Sequence, residues 1–172
     1  MKKTTYLCLG SNVGDRQQHL QVALARLGQI GTVIAASDFY ETEPVDAPPQ
    51  AWFLNCAVAL ETELMPKQLL AAVLAIERDL GRRRQKTNTK TPRTIDIDIL
   101  LFGASIVNTP ALTIPHPGLH LRRFVLEPLA AIAPEVRHPV LKRTIRELRD
   151  ALPPNAGAVK RVSTEQAHIA KE

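Results

Sequence analysis

The chain has 172 residues, of which 45% are apolar and 23% are charged, and it carries a formal net charge of +5 at pH 7. A chain of this length builds one hydrophobic core, so we predict a single domain over residues 1–172. No apolar run approaches the roughly 20 residues that a membrane-spanning helix needs, which argues against a membrane protein.

The N-terminal segment and the cysteines both favour a cytoplasmic location. The first apolar run is broken at Gly10, too early for the roughly 7–15 apolar residues in the core of a signal peptide. Cys8 and Cys56 lie in apolar runs without a Cys-x-x-Cys pattern, which favours buried thiols in a reducing compartment. We therefore expect a protein of the cytoplasm that has no membrane partner.

The first part of the chain predicts the element order strand, helix, strand. Residues 4–10 alternate and are rich in β-forming residues, which is typical of a strand. Residues 19–27 have apolar side chains with helical spacing, and residues 32–45 predict a second strand. The prolines in residues 46–51 then predict an irregular loop.

The middle of the chain predicts a second sequence of strand, helix and strand. Residues 52–62 predict the third strand. A helix is predicted over residues 67–80, because Pro66 occupies its first turn and Gly81 follows its end. The fourth strand is predicted over residues 94–102.

The C-terminal third predicts two further short helices, within residues 122–134 and 144–152, and a polar tail after Pro153 that we expect to be frayed. The overall order βαββαβ is that of a ferredoxin-like fold. We therefore predict the α+β class, with an antiparallel sheet, helices packed on one face of it and extra short helices at the C-terminus.

Two aspartates interrupt the apolar sequence of the fourth predicted strand. Because side chains alternate along a strand, the isoleucines would point into the core. Asp96 and Asp98 would then project together on the opposite face, with Cα atoms roughly 6–7 Å apart. Such a pair suits Mg²⁺, which takes one or two protein carboxylates and completes its shell with water and phosphate oxygens. A solvated polar face is the alternative for an Asp-x-Asp pair considered alone.

Basic residues are concentrated just before that strand, between residues 78 and 93, where Asp79 is the one acidic residue. Arginine binds phosphate through two parallel hydrogen bonds, which lysine cannot form. We therefore predict that Arg82, Arg84 and Arg93 face the phosphates of a ligand, and that the stretch before the strand is an exposed loop.

Several single residues allow more than one interpretation. Asn55 shares a strand face with Phe53, so its amide is placed to read a flat heterocycle, although an Asn in a strand is as often simply exposed. Phe124 borders an irregular segment and by itself indicates core packing. His116 lies between two prolines in a rigid loop, where it either caps a turn or faces a ligand together with Arg122.

Six segments read LGSNVGD, SDFYETEPV, FLNCAVALET, IERDLGRRR, PRTIDIDILLFG and IPHPGLHLRRFVLEPLAAIAP. In this order and spacing, over roughly residues 6–134, the chain resembles the 6-hydroxymethyl-7,8-dihydropterin pyrophosphokinase family. The resemblance implies an enzyme of folate biosynthesis on a ferredoxin-like scaffold. The implied reaction transfers a diphosphate from ATP to the hydroxymethyl group of a reduced pterin and leaves AMP.

The resemblance also implies roles for individual residues, each carried over by its position in these segments. Asp96 and Asp98 would bind two Mg²⁺ ions that bridge the ATP phosphates. The pterin ring would lie between Phe53 and Phe124, and its polar edge would be read by Thr42, Pro44, Val45 and Asn55. The cationic side of the ATP site would consist of Arg82, Arg84, Arg93, His116 and Arg122. Arg82 and Arg93 would act in catalysis with the two aspartates, and we assign no general base.

The resemblance implies a monomer whose partners are two small molecules, ATP and the pterin. The chain departs from many relatives at residues 86–93, which read KTNTKTPR, because the loop of those relatives carries an aromatic residue. We therefore expect the closure of this loop over the substrates to differ from that of the relatives.

Two other protein classes share parts of the pattern. A nucleotidyltransferase also combines a Gly-Ser turn after its first strand with an Asp-x-Asp strand, but it would release pyrophosphate instead of AMP. An RNA-binding domain also has a four-stranded ferredoxin-like sheet and a basic loop. Its central strands carry exposed aromatic residues, whereas Asp96 and Asp98 would repel a phosphate backbone, so we expect no nucleic-acid partner.

Overall fold

The computed structural model of the chain describes residues 1–44, 50–81 and 94–162. Eight strands and four α-helices lie in this part of the chain. Their order is β1 (Lys3–Ser11), α1 (Arg16–Leu27), β2 (Thr32–Ala36), β3 (Tyr40–Thr42), β4 (Phe53–Thr62), α2 (Pro66–Asp79), β5 (Asp96–Phe102), β6 (Val107–Asn108), β7 (Thr113–Ile114), α3 (Arg123–Ile132), α4 (Ile145–Asp150) and β8 (Val159–Arg161). A short 3-10 helix, Leu119–Leu121, precedes α3.

One antiparallel sheet organises the described residues. Its strand order is β5–β1–β4–β3–β8, and β2 pairs with β4 next to β3. β1 therefore lies inside the sheet, with β4 on one side and β5 on the other. Because β2 and β3 together fill the place of one strand, the order is that of a ferredoxin-like fold, and the predicted α+β class is confirmed.

The second predicted strand, over residues 32–45, is divided in the structure, so the prediction of one continuous strand was wrong. The cause is Ser37, whose hydroxyl accepts a hydrogen bond from the Ala57 N–H at 2.9 Å and donates one to the Asp38 carbonyl at 2.8 Å. The side chain thus replaces a main-chain partner of β4. Pairing resumes at Tyr40, which lies opposite Asn55.

Helices cover both faces of the sheet. α1 and α2 cover one face, around a core that includes Leu7, Leu9, Leu20, Leu69, Val73, Ile97 and Ile99. α3 and α4 cover the opposite face, around Cys8, Ala57, Leu100, Leu126, Leu129 and Leu148. The prediction of helices on one face is therefore correct for α1 and α2, while the short C-terminal helices lie on the other face. Apolar side chains on both faces of β1 require this arrangement.

Two chain segments are more ordered than the sequence suggested. α1 begins at Arg16, ahead of the predicted residue 19, because the Asp15 carboxylate caps it by accepting a hydrogen bond from the Gln18 N–H at 3.1 Å. The tail after Pro153 was expected to be frayed; in its described part, Val159–Arg161 forms β8 and pairs with β3, whereas residues 163–172 lie outside the described residues. Most of the predicted loops over 46–51 and 82–91 lies outside the described residues.

No helix within the described ranges is long and apolar enough to cross a membrane. The two predicted short C-terminal helices and the helix after Pro66 are confirmed as α3, α4 and α2.

Replacing Ser37 by Ala is expected to destabilise the fold, because the substitution leaves the buried N–H of Ala57 without its acceptor. We expect a loss of about 1–3 kcal/mol in the free energy of unfolding, measured by urea denaturation. Ser105→Ala, in the turn after β5, is the matched control and should change this quantity by less than about 0.5 kcal/mol. Equal effects of the two substitutions would show that the Ser37 hydroxyl does not replace a strand partner.

Candidate active site

The two aspartates of β5 lie on the same face of the sheet, as predicted. Ile95, Ile97 and Ile99 are buried, whereas Asp96 and Asp98 are half-buried. The face is the one covered by α3, because Asp98 lies opposite Cys8 in the β1–β5 pairing and Cys8 packs against the α3 core. The alternation that the sequence predicted is therefore confirmed.

The carboxylates on this face of the sheet are suited to bind magnesium. The described part of the chain holds no group of three or more His, Cys, Asp or Glu side chains able to bind a metal. A site built on Asp96 and Asp98 therefore supplies two hard carboxylates and leaves the other positions of the ion to water or ligand oxygens. Mg²⁺ prefers that division, whereas zinc and calcium take more of their ligands from the protein.

Asn55 and Phe53 project from β4 on the same face as the aspartates. Asn55 lies opposite Gly10 of β1, which in turn lies opposite Asp96 of β5. A Cβ atom at Gly10 would collide with Nδ2 of Asn55 and would lie 3.4 Å from the Phe53 ring. Asn55 is 5% exposed, so the alternative of a simply exposed strand asparagine is excluded.

The start of α3 brings a cation and an aromatic ring to this face. The guanidinium carbon of Arg122 lies 5.7 Å from the centroid of the Phe124 ring, a cation–π distance. The same guanidinium lies against Gly118, where a Cβ atom would approach its carbon and Nε atoms to 2.6 Å. Phe124 is half-buried against the α3 core, so one side of its ring packs in the protein.

His116 is fixed to the outer edge of β5. Its main-chain N–H donates to the Leu100 carbonyl at 3.0 Å. Its ring atom Nδ1 accepts a hydrogen bond from the Gly118 main-chain N–H at 3.1 Å. Because Nδ1 is an acceptor, the ring proton of the neutral imidazole lies on Nε2. Burial lowers the pKa of His116, the Arg122 guanidinium lowers it further, and Asp96 opposes both. At neutral pH, His116 is therefore an uncharged N–H donor.

The thiols of Cys8 and Cys56 are buried in the two cores of the sheet and are unreactive. Burial raises the pKa of Cys8 well above its ordinary value, and Asp98 raises it further. Burial alone raises the pKa of Cys56 to about 12. Both cysteines are free and buried, which confirms the expectation of buried thiols.

A cavity of about 310 Å³ opens beside the aspartates at the outer edge of β5, and sequence reasoning missed it. Its lining combines Leu70 and Leu74 of α2, the β5 residues Asp96, Ile97, Asp98 and Ile99, and the segment from Pro110 to Pro117 that includes Thr113 and His116. These segments are distant in sequence, so local periodicity contains no signal of the cavity.

Glu77 is a second feature that the sequence reading missed. Its carboxylate is 3% exposed and accepts a hydrogen bond from the Ile97 N–H of the edge strand at 2.8 Å. One signal was present in the sequence: an acidic residue occupies the apolar face of α2, four residues after Val73. A buried carboxylate on such a face indicates a specific partner.

The sequence analysis also missed two residues near the start of α1, which form hydrogen bonds to residues of β3 and to residues just before β4. Arg16 makes two hydrogen bonds to the Glu41 carboxylate, at 2.8 and 2.6 Å, and one to the Trp52 carbonyl at 3.0 Å. Asn12 donates to Gln50 at 2.8 Å. The end of β3 and the start of β4 are thereby joined to α1, which fixes the strand ends that carry the predicted pterin residues.

The remaining predicted site residues divide into two groups. Thr42 is buried in β3 beside Asn55, and Pro44 is half-buried just after β3. Val45, Arg82, Arg84 and Arg93 lie outside the described residues, so their placement stays a prediction. The structure thus brings together Asp96, Asp98, Asn55, Phe53, Thr42, His116, Arg122 and Phe124 on or beside one face of the sheet.

Paired carboxylates and an imidazole N–H line one cavity, and a guanidinium lies near that imidazole; this combination is typical of enzymes that act on phosphate groups. The sequence pattern of the 7,8-dihydro-6-hydroxymethylpterin-pyrophosphokinase (HPPK) family matches residues 6–134. The chain belongs to this family, and it is therefore a pyrophosphokinase, a transferase.

Individual relatives agree with this assignment. The 2-amino-4-hydroxy-6-hydroxymethyldihydropteridine pyrophosphokinase of Bacillus subtilis is 46% identical over 138 residues, which cover 79% of this chain and 81% of that protein. The folic acid synthesis protein fol1 of Schizosaccharomyces pombe is 42% identical over 153 residues, which cover 88% of this chain. This chain spans only 21% of the length of the S. pombe protein.

The fold agrees with a solved structure as well. The HPPK-DHPS of Plasmodium falciparum, solved with pteroate, superposes with a TM-score of 0.70 at 17% sequence identity. The match covers 87% of this chain and 44% of the P. falciparum chain. At this level of identity, the similarity supports the fold alone.

The titration of His116 tests the electrostatics of the site. We expect its pKa, followed by NMR without metal or nucleotide, to lie below 6.5, because burial and Arg122 both disfavour the imidazolium. Arg122→Gln should raise this pKa, because it removes the neighbouring cation. Arg123→Gln is the matched control and should leave the pKa unchanged. A pKa that is the same in all three proteins would contradict the proximity of Arg122 and His116.

Proposed function

We propose that the chain transfers the terminal diphosphate of ATP to the hydroxymethyl group of 6-hydroxymethyl-7,8-dihydropterin and releases AMP, a step of folate biosynthesis. The observation that carries this proposal is the position of Asp96 and Asp98. They lie on one sheet face between the aromatic and amide groups of one subsite and the cavity of another. A transferase for two small substrates needs these two subsites with the phosphate chemistry between them.

The pterin subsite is formed by β3, β4 and the start of α3. Phe53 and Phe124 offer aromatic faces suited to a flat heterocycle, and both are only half-buried. Asn55 and Thr42 supply the polar groups that fix the orientation of the ring edge, and Pro44 follows at the end of β3. Val45 belongs to the same proposed set.

The nucleotide subsite is the cavity beside β5. Its apolar walls, Leu70 and Leu74, suit a purine ring. The Ile97 N–H points away from β1 at the edge of the sheet, where the Glu77 carboxylate accepts its hydrogen bond. Ile99, two residues along the strand, also lines the cavity, and we assign the main-chain groups of this edge strand to the edge of the base.

The phosphates then lie between the two subsites. His116 donates from Nε2, and Arg122 contributes a fixed positive charge whose guanidinium is held by Gly118 and Phe124. We assign Arg82, Arg84 and Arg93 to the same phosphates. Asp96 and Asp98 would hold magnesium, which would supply the charge neutralisation that phosphoryl transfer needs.

Positioning is the main contribution of the chain to the reaction. The transferred phosphorus and the pterin hydroxyl must be held in line, and the aromatic and amide groups of the pterin subsite hold the hydroxyl. Arg122 and the His116 N–H stabilise the negative charge on the phosphate oxygens. We assign no general base, since carboxylates that bind a metal are weak bases.

We further propose that the protein acts as a monomer in the cytoplasm. Its buried, free cysteines, both with raised pKa, support a reducing compartment. The substrates are free small molecules, so the proposal includes no nucleic-acid or membrane partner.

Asp96→Asn and Asp98→Asn test the metal assignment. Each substitution should lower kcat by at least about 100-fold at saturating magnesium, because the neutral amide binds the cation poorly while keeping the shape of the side chain. Asp150→Asn, on α4, is the matched control and should retain full activity. The thermal midpoint of each variant should stay close to that of the wild type. Full activity in either β5 variant would remove the metal assignment.

Phe124→Ala tests the aromatic subsite. We expect the Kd for the pterin to rise by about tenfold or more, because stacking acts on the ring. The Kd for ATP should change much less. Phe39→Ala, which truncates a half-buried ring on the opposite core, is the control. Equal losses of affinity for both ligands would assign Phe124 to packing, or to support of Arg122, instead of stacking.

A further inference from the structure

The side chain of Arg16, at the start of α1, attaches to two strands of the sheet. Its guanidinium donates two hydrogen bonds to the Glu41 carboxylate of β3, at 2.8 and 2.6 Å. It donates a third bond, at 3.0 Å, to the main-chain carbonyl of Trp52, the residue before β4. Because a planar guanidinium binds both oxygens of a carboxylate at once, the three bonds fix the distance between the end of β3 and the start of β4.

These attachments lie next to the last residue pair between β3 and β4. In that pair, Thr42 is opposite Phe53. Glu41 precedes Thr42, and the Trp52 carbonyl belongs to the peptide bond that leads into Phe53. β3 has only three residues, so few ladder hydrogen bonds hold it against β4. A bridge across this pair therefore contributes strongly to the position of both strand ends.

Arg16 makes these bonds from the face of the sheet opposite the proposed pterin subsite. Side chains alternate along β3, so Glu41 and Thr42 point to opposite faces. Thr42 faces the α3 side, where its hydroxyl bonds to Asn55, whereas α1 covers the other side. A ligand beside Asn55 lies across the sheet from the guanidinium, so Arg16 acts on such a ligand only through the two strands.

The geometry of this ion pair makes it stronger than an ordinary surface pair. Exposed pairs contribute little, because two long side chains must be held in one geometry while water screens their charges. The side chains of Arg16 and Glu41 are only 29% and 31% exposed, and both carboxylate oxygens are bound. The Trp52 carbonyl holds the guanidinium at a third point.

We propose that Arg16 is a positioning residue of the pterin subsite, on which it acts by holding the ends of β3 and β4 at a fixed distance through Glu41 and Trp52. This inference rests on the proposed function for the identity of the ligand. The proposed nucleotide cavity lies beside β5, at the other edge of the sheet. Loss of the Arg16 side chain should therefore weaken binding of the dihydropterin without affecting the nucleotide.

Four variants separate positioning from general stability. Arg16→Gln and Glu41→Gln each remove one partner of the ion pair, and a double variant removes both. Arg26→Gln is the matched control, because Arg26 also lies on α1, is 32% exposed and binds a carboxylate at 2.8 Å. That carboxylate belongs to Asp79 of α2, so the control pair does not touch β3 or β4. Steady-state kinetics and thermal midpoints are measured for all four variants.

We expect Arg16→Gln to raise KM for the dihydropterin about fivefold, at the upper end of what an ion pair contributes, and to leave KM for ATP within about twofold. Glu41→Gln should change both values in the same direction. The double variant should be no worse than Arg16→Gln, because two residues that act through one interaction have non-additive effects. Arg26→Gln should lower the thermal midpoint but change neither KM.

Two kinetic results would overturn the proposal. The first is that Arg16→Gln matches Arg26→Gln, with lower stability and an unchanged KM for the dihydropterin. The second is that the effects of Arg16→Gln and Glu41→Gln on this KM add fully in the double variant, since the two side chains would then act independently.

A measurement without substrate separates this proposal from the proposed function. The main-chain amides of residues 40–42 and 53–55 should exchange with deuterium at least about threefold faster in Arg16→Gln than in Arg26→Gln. If the wild type makes no AMP from the dihydropterin, the proposed function fails while the exchange rates still decide the positioning. Equal exchange in the two variants at these residues would overturn the positioning itself.

Discussion

The pairing of β1 with both β4 and β5 is the constraint on which the rest of the site depends. Its register places Gly10 between Asp96 on one side and Asn55 on the other. Adjacent strands are about 4.8 Å apart, so the proposed metal ligand and the proposed pterin-reading amide are separated by about 10 Å across the sheet. A slip of one residue in either pairing would turn one of the two groups into the opposite core.

The position of α3 completes the arrangement that this register begins. The helix packs over β4 and β1 through Val125, Leu126 and Leu129, and its first turn therefore places Phe124 at the edge of the covered face. Arg122 precedes the helix and lies between the Phe124 ring and Gly118. Apolar burial, which has no direct role in phosphate chemistry, thus determines where the cation and the aromatic ring lie.

The same physical argument explains why part of the structure could be predicted from the sequence. The alternation of Ile95, Ile97 and Ile99 with the aspartates is a local pattern, and so is the helix between Pro66 and Gly81. Both depend on neighbours only a few residues apart. The local pattern around Phe124 indicates only core packing. Its role in ligand binding was predicted from the six segments that resemble the pyrophosphokinase family.

The features that could not be predicted depend on contacts between distant residues. Ser37 divides the second strand through Ala57, twenty residues away, and Glu77 reaches Ile97 over the same separation. β8 joins the sheet only because β3 offers a free edge. The bonds of Arg16 to Glu41 and Trp52 require α1, β3 and β4 to be in place together, so no reading of single segments could establish them.

The fate of the β-phosphate of ATP tests the central claim most directly. The protein would be incubated with magnesium, 6-hydroxymethyl-7,8-dihydropterin and ATP labelled in the β-phosphate, and the products would be separated by anion-exchange chromatography. Transfer of a diphosphate predicts that the label appears in the pterin product and that unlabelled AMP forms only when the pterin is present. Label in ADP, or in free pyrophosphate together with a pterin nucleotide, would contradict the claim and would favour transfer of a single phosphate or a nucleotidyltransferase.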